Sequence, residues 1–322
     1  MIGLSLRCIV LISLWALMLL PSISDTPKIV IPGPLIETDW LDKNLASITI
    51  LDVRVELQTF TLPPRVVKDQ LQGESYLESI GGHIPNSILV DFNKIRVERK
   101  ADGLTLIGMV PEKADFEKLM RELGVKKDAM LVIVSPGLSS DEVAMATRLY
   151  WQLKYYGHTN MAILNGGLAK WILEGRKLDV LVSKKISGDW VAAEPNNALF
   201  ATTKDVEDAL TKKDMVLIDT RPLHQYLGLS KRPYVAALGH IPGAKYFSSE
   251  LLSQADMPAK FLAHEQYQKL FQTLKIDAQK PAITYCNSGH LASGSWFVLH
   301  ELLGNKNVKL YDGSMHEWAM RK

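Results

Sequence analysis

The chain has almost no cysteine: two in 322 residues, Cys8 and Cys286. That excludes a disulfide framework as the basis of stability, and it excludes a zinc site built from several thiolates. His, Cys and acidic residues nowhere cluster at metal-ligand spacing, and no glycine-rich phosphate fingerprint follows a strand. An excess of one charge is missing too. The 37 Lys and Arg nearly balance 35 Asp and Glu for a net charge of +2, which gives no reason to expect a nucleic-acid partner. Past residue 20, apolar runs long enough to span a membrane are also absent.

The run that does occur, Cys8 to Leu20, is short for a span. Arg7 precedes it, Pro21 breaks it, and Ser22-Ile23-Ser24 places small residues where a signal peptidase reads. Residues 1–24 are expected to be a cleaved export signal, with the mature protein periplasmic and not stably membrane-associated; an uncleaved anchor is the alternative. Cleavage would leave Cys286 as the only thiol. The rest, with 47% hydrophobic residues overall, is long enough for two ordinary domains.

Those domains are two copies of one sequence pattern. Ile50-Leu51-Asp52-Val53-Arg54 returns as Leu217-Ile218-Asp219-Thr220-Arg221, and Gly82-His83-Ile84-Pro85 returns as Gly239-His240-Ile241-Pro242. Leu131 to Gly137 occupies the place of Ala282 to Gly289, and Leu164-Asn165-Gly166-Gly167 with Trp171 corresponds to Tyr311-Asp312-Gly313-Ser314 with Trp318. Four landmarks in the same order indicate a tandem duplication, with domains at 25–180 and 198–322 and a polar linker between them from about Glu174 to Ala198.

Within each copy, short apolar runs alternate with helical patterns. In the second these are Met215–Ile218, Ala244–Phe247, Ala282–Tyr285 and Val308–Tyr311, with Ala292, Trp296, Leu299 and Leu303 at helical spacing and Gly304-Asn305 as a stop. In the first, Ser140-Asp141 caps a helix with Val143, Thr147 and Tyr150 on its apolar face and Lys154 at its polar edge, ending near Gly157. The fold class is α/β: two tandem domains, each a parallel sheet with helices on both faces. An insertion between Arg54 and His83, containing Leu62-Pro63-Pro64-Arg65, reads as a surface loop overhanging the interdomain cleft.

Duplication separates fold from chemistry. Residues in both copies are explained by what both copies do. Asp52/Asp219 and Arg54/Arg221 read as local ion pairs, His83 and His240 as turn histidines bonding the backbone, Trp171 and Trp318 as core anchors. Residues in one copy only are candidates for function. Cys286 ends an apolar run and precedes a polar loop and a helical pattern, a setting in which backbone N–H groups and the helix N-terminus favour thiolate. The first copy has Ser135 there, then Pro136, which removes one N–H. That copy is expected to be silent. Gly289 permits close backbone approach, and Ser288 and His290 can donate into a pocket, an outward-pointing His290 being the alternative. Lys231-Arg232 is either an anion clamp or a solvated pair.

The Asp-x-Arg strand end, the Gly-His-Ile-Pro turn, the strand-borne cysteine loop and the terminal Asp-Gly-…-Trp segment together resemble a two-domain rhodanese-type sulfurtransferase, over essentially the whole mature chain. The resemblance implies an inactive first domain and a Cys286 persulfide in the second, with no metal or organic cofactor required. Sulfur would come from a small anionic donor, thiosulfate or 3-mercaptopyruvate, and pass to cyanide or a thiol acceptor. N–H groups of Asn287, Ser288, Gly289, His290, Leu291 and Ala292 would cradle the anionic sulfur, with Arg221, Lys231 and Arg232 binding donor. Asn287-Ser288 replaces the basic residues common in thiosulfate-using members, and Ser288 before Gly289 resembles the mercaptopyruvate branch. A donor-binding arginine of both branches is Gln225 here, so Lys231 or Arg232 is expected to supply its charge. Phosphatases of this fold carry an arginine six positions after the cysteine, where this chain has Ala292, which argues against phosphatase activity. A non-catalytic sulfur-carrier or binding module is the other alternative.

Overall fold

The computed structural model describes residues 29–68, 75–182 and 186–321. The expected export segment, with Cys8, lies outside them. In the first copy the order is β1 (Leu35–Ile36), α1 (Thr38–Asn44), β2 (Thr49–Arg54), β3 (Arg65–Lys68), β4 (Ser75–Ser79), β5 (Ile88–Asp91), β6 (Val97–Ala101), β7 (Leu104–Met109), α2 (Lys113–Glu122), β8 (Leu131–Val134), α3 (Ser140–Tyr155), β9 (Met161–Leu164) and α4 (Gly167–Leu173). The second runs β10 (Phe200–Ala201), α5 (Thr203–Lys212), β11 (Val216–Asp219), α6 (Leu223–Tyr226), β12 (Lys245–Tyr246), α7 (His264–Thr273), β13 (Ala282–Tyr285), α8 (His290–Phe297), β14 (Val308–Tyr311) and α9 (Ser314–Met320).

Each copy builds a five-stranded parallel sheet, in the orders β1-β9-β8-β2-β5 and β10-β14-β13-β11-β12. The landmark Asp-x-Arg ends β2 and leaves β11 at the same place in both orders, so the duplication read from sequence is also one of topology. Side-chain alternation along the strands divides the core into three parts. Leu131 and Ile133 of β8, with Ala282 of β13, enter one large core shared by the two copies, whereas Val132 and Val134 face the outer core of the first sheet and Ile283 and Tyr285 that of the second.

Helix α3 carries this shared core and departs from the amphipathic reading. Nearly all its residues from Val143 to Tyr155 are buried, because it lies against α8 of the other copy rather than on a solvated surface. Thr147 Oγ1 and Ser293 Oγ meet at 2.9 Å between the two helices. At the same junction Arg148 donates to Asp312 Oδ1 at 2.5 Å, Gly289 O at 3.3 Å and Gly108 O at 3.2 Å, while Asp312 Oδ2 accepts the Val110 N–H at 2.8 Å. Both members of the pair are fully buried.

Two further expectations are corrected. The stretch read as a polar linker carries an apolar anchor: Trp190 is buried, packs edge-on against Phe116 and donates Nε1–H to His158 Nδ1 at 3.2 Å, joining the first copy's core. The insertion after Arg54 forms a 3₁₀ turn and the β3–β4 hairpin, whose Leu77 joins the outer core of the first sheet, away from the shared side.

Arg148→Ala would leave Asp312 as a buried carboxylate without its cation, so a loss of about 3–5 kcal/mol in unfolding free energy is expected from urea denaturation. A variant within about 1 kcal/mol of wild type would show that the pair does not hold the copies together.

Candidate active site

The site forms where β13 ends. Its alternation sends Cys286 to the same side as Ala282, into the shared core, where Cys286 is 1% exposed. It is the free cysteine of the described residues. The loop after it is tied to α9 by two backbone bonds, Met315 N–H to Cys286 O and His316 N–H to Asn287 O, both 3.0 Å. The first copy repeats this with Leu168 N–H to Ser135 O and Ala169 N–H to Pro136 O, both 2.8 Å. The loop is therefore inherited geometry, and the chemistry lies in what differs.

One difference the sequence reading passed over is Ser314. It has φ +51° and occupies the place of Gly167, at φ +57°. A left-handed backbone costs a side chain energy, so a serine there needs a compensating contact. Its buried Oγ accepts the N–H of Cys286 at 3.0 Å and of Gly289 at 3.1 Å, and donates to Tyr311 O at 2.8 Å. Gly289 itself, at φ +73°, has no room for a side chain: a Cβ would lie 2.4 Å from Asp312 Oδ1 and 2.6 Å from Arg148 Nη1.

The expected cradle is thus altered. The Gly289 N–H is committed to Ser314, while Asn287 and Ser288 N–H have no acceptor among the described residues. His290 and Leu291, in the first turn of α8, contribute N–H groups that helix geometry leaves unpaired; Ala292 follows them, fully buried. The Asn287 side chain donates to Gln225 Oε1 at 2.8 Å, and its own Oδ1 is buried without a partner. Gln225 therefore supports the loop rather than carrying charge.

His290 does not donate into the cysteine loop. Its Nε2–H bonds Asp141 O at 3.1 Å and its ring packs on Phe92, both in the first copy. Burial, then the cations Arg96 and Arg148, hold its pKa well below the ordinary histidine value. Arg221 grips Asp219 through Nε and Nη2 and donates to Gly239 O at 2.8 Å, as Arg54 grips Asp52 and Gly82 O at 3.2 Å. Both are local ion pairs, and Arg221 Nη1 is buried with no acceptor among the described residues. His83 and His240 are the turn histidines expected. Each donates Nδ1–H to a carbonyl, of Phe60 at 2.9 Å and Tyr226 at 2.8 Å, and stacks on that residue's ring. Lys231 and Arg232 are exposed; Lys231 donates to Val235 O of its own loop at 2.6 Å, and neither donates to residues 286–292.

Besides Arg148, which donates to Gly289 O, a second cation of the first copy reaches the loop. Arg96, just before β6, donates Nη2–H to Ser288 Oγ at 2.7 Å and to Ser288 O at 3.3 Å. Tyr234 OH lies 3.4 Å from the same hydroxyl. Nothing in Ile95-Arg96-Val97-Glu98-Arg99-Lys100 distinguishes Arg96 from its charged neighbours, because its role depends on a residue 192 positions away. Among the described residues no group of three His, Cys, Asp or Glu comes together as a metal ion would require.

Two consequences are measurable. Ser314→Ala removes the acceptor of two buried N–H groups but keeps the left-handed strain, and should cost about 1–3 kcal/mol. Ser314→Gly loses the same acceptor but relieves the strain, by about 1–2 kcal/mol. The expected order of urea midpoints is wild type, then Gly, then Ala, and Ala above Gly would contradict the strain argument. For His290 the folded pKa is depressed, so its stabilisation is fully present above the unfolded value of about 6.5 and is lost as pH falls below it. His290→Gln should flatten the acid slope of unfolding free energy between about pH 6.5 and pH 5, in part only, since burial also lowers the pKa of His158 and His300.

Comparison with known proteins agrees with this architecture. The rhodanese-like domain family matches at residues 37–174 and again at 202–321. A protein of Saccharopolyspora erythraea, named provisionally as a thiosulfate sulfurtransferase, is 29% identical over 292 residues, covering 88% of this chain and 92% of its own. The sulfur carrier protein TtuD of Thermus thermophilus is 29% identical over 297 residues, covering 89% of this chain and 94% of its own. Among solved structures, the 3-mercaptopyruvate sulfotransferase SseA of Escherichia coli superimposes with a TM-score of 0.67 at 26% identity, over 88% of this chain and 98% of that one. With two family domains in tandem and relatives of this kind along nearly its whole length, the chain belongs to the rhodanese family and is a sulfur-transferring enzyme.

Proposed function

We propose that the protein takes sulfane sulfur from a small anionic donor, thiosulfate or 3-mercaptopyruvate, onto Cys286 and passes it to cyanide or a thiol. The observation that supports this reading most is the pairing of Cys286 with a pinned loop whose Asn287 and Ser288 N–H groups have no acceptor among the described residues. Donors left unpaired around a nucleophile are suited to a charge that is present only during reaction.

With thiosulfate, the Cys286 thiolate attacks the outer sulfur. The new Sγ–S bond forms as the donor S–S bond breaks, and its electron pair leaves with sulfite. With 3-mercaptopyruvate the C–S bond breaks instead, and the carbon keeps the electron pair and takes the thiol proton to give pyruvate. Either route leaves an anionic persulfide, which cyanide attacks at the outer sulfur to give thiocyanate and regenerate the thiolate. No external oxidant or reductant enters. The free N–H groups of the loop stabilise the persulfide anion, Asn287 and Gln225 hold the loop's outer side, and Arg221 Nη1 offers a further donor.

A carrier function, as in the name of the Thermus relative, is the second reading. It differs in turnover: a carrier loads once and waits for a specific partner, whereas an enzyme cycles with small acceptors. Phosphatase chemistry is disfavoured by Ala292, which offers no guanidinium for phosphate.

Mass spectrometry should find one added sulfur on Cys286 after incubation with donor and its loss on adding cyanide. Cys286→Ser, close in size but far less acidic, should retain its fold and fall below about a tenth of wild-type turnover, a barrier increase of more than about 1.4 kcal/mol. Turnover above that level would move the sulfur chemistry to another group.

A further inference from the structure

The first copy contributes a cation that has no ion-pair partner among the described residues, although Cys286, Tyr234 and Asp312 act on it from further off. Arg96 has no carboxylate within ion-pair distance among the described residues, and its Nε is buried without an acceptor. Its immediate contacts are the Phe92 ring, with the guanidinium carbon 5.2 Å from the centroid, and the two oxygens of Ser288. A second cation, Arg148, lies close enough to repel it. Neutral oxygens and a ring face leave such a charge only partly compensated, so an anion brought to it would gain a charged partner.

Of the other cations nearby two are neutralised and two are exposed, Arg232 acting on His290 from its loop. Arg148 is neutralised by Asp312, Arg221 by Asp219, and Lys231 and Arg232 stay exposed on their loop. Space for Arg96 is built in as well. Gly108, at φ +75°, faces the guanidinium, where a Cβ would lie 2.5 Å from Arg96 Nη2 and 3.2 Å from Ser288 Cβ. A residue that keeps this position empty keeps a guanidinium beside the cysteine loop, two residues from Cys286 and within its electrostatic reach.

We propose that Arg96 binds the anionic head group of the sulfur donor, the sulfonate of thiosulfate or the carboxylate of 3-mercaptopyruvate, so that the copy without the cysteine selects the donor for the copy that has it. The donor's identity here rests on the sulfur-transfer reading above; the anion site does not. Binding exchanges the neutral Ser288 oxygens for a charged acceptor on the same guanidinium, and the freed Ser288 hydroxyl and N–H remain for the sulfur. The charge expected from Lys231 or Arg232 is thus supplied from the opposite domain.

The test compares wild type, Arg96→Gln and Arg96→Lys in the full chain, with two probes. The first is the ratio of Cys286 alkylation rates by iodoacetate and iodoacetamide, read on the Cys286 peptide by mass spectrometry. The reagents differ in charge and share the displacement of iodide by thiolate. Arg96→Gln should lower the iodoacetate-to-iodoacetamide ratio about tenfold with iodoacetamide little changed, and Arg96→Lys should keep most of it. Added salt should lower the wild-type ratio and leave that of Arg96→Gln flat. The second probe is steady-state kinetics, in which Arg96→Gln should raise the KM for either donor about tenfold with a much smaller change in kcat.

An unchanged alkylation ratio in Arg96→Gln overturns the proposal, whichever donor the enzyme uses. Equal slowing of both reagents also overturns it, since that would show Arg96 only shaping the loop. A wild-type protein that takes sulfur from neither donor, yet loses its alkylation ratio in Arg96→Gln, would refute the proposed function and leave the anion site standing.

Discussion

The buried pair of Arg148 and Asp312 is the contact on which the rest of this structure turns. Two charges removed from water are stable only if their geometry satisfies nearly every donor and acceptor. Here the guanidinium also takes Gly289 O and Gly108 O, and the carboxylate also takes Val110 N–H. Those partners are the ends of elements: the start of α8, the end of β7 and the loop after β14. One ion pair therefore locks the mutual position of the cysteine loop and the first-copy hairpin. It also dictates Gly289, since any side chain there would enter the pair itself.

Around that contact the copies have diverged in few places. Shared devices do the folding: the Asp-Arg grip on a glycine carbonyl, the histidine stacked on the ring whose carbonyl it bonds, and the backbone ties from the last helix to the loop. The substitutions of Ser135 by Cys286, Pro136 by Asn287 and Gly167 by Ser314 change no fold-level contact. They replace an unreactive hydroxyl by a thiol, restore an N–H, and add a hydroxyl that binds both ends of the loop. The first copy has not become idle. It presents the face that buries Cys286, and it carries the guanidinium that meets Ser288.

Much of this was legible in the chain. Strand alternation, the repeated landmarks and the helix stops follow local rules, so the two parallel sheets, the turn histidines and the place of Cys286 at a strand end could all be read from spacing. The misreadings share one cause. Helix α3 reads as amphipathic, the stretch from about Glu174 to Ala198 as a polar linker, and His290 as either a donor into the pocket or an outward-pointing histidine. In each case the partner lies in the other copy or far along the chain: α8 for the helix, Phe116 and His158 for Trp190, and Asp141 with Phe92 for the histidine.

Sequence alone determined which residue types stand at the loop and which copy bears the thiol, because duplication supplies its own internal comparison. Tertiary structure alone decided where the loop's charge partner comes from. Lys231 and Arg232 are nearer along the chain, yet both are exposed, Lys231 donates to Val235 O of its own loop, and neither donates to residues 286–292. Arg96 is 192 residues from Ser288 and meets it at 2.7 Å, because packing two sheets through a shared core sets the end of one copy's hairpin against the other's cysteine loop. A local pattern specifies local geometry; a contact between surfaces exists only once both have folded.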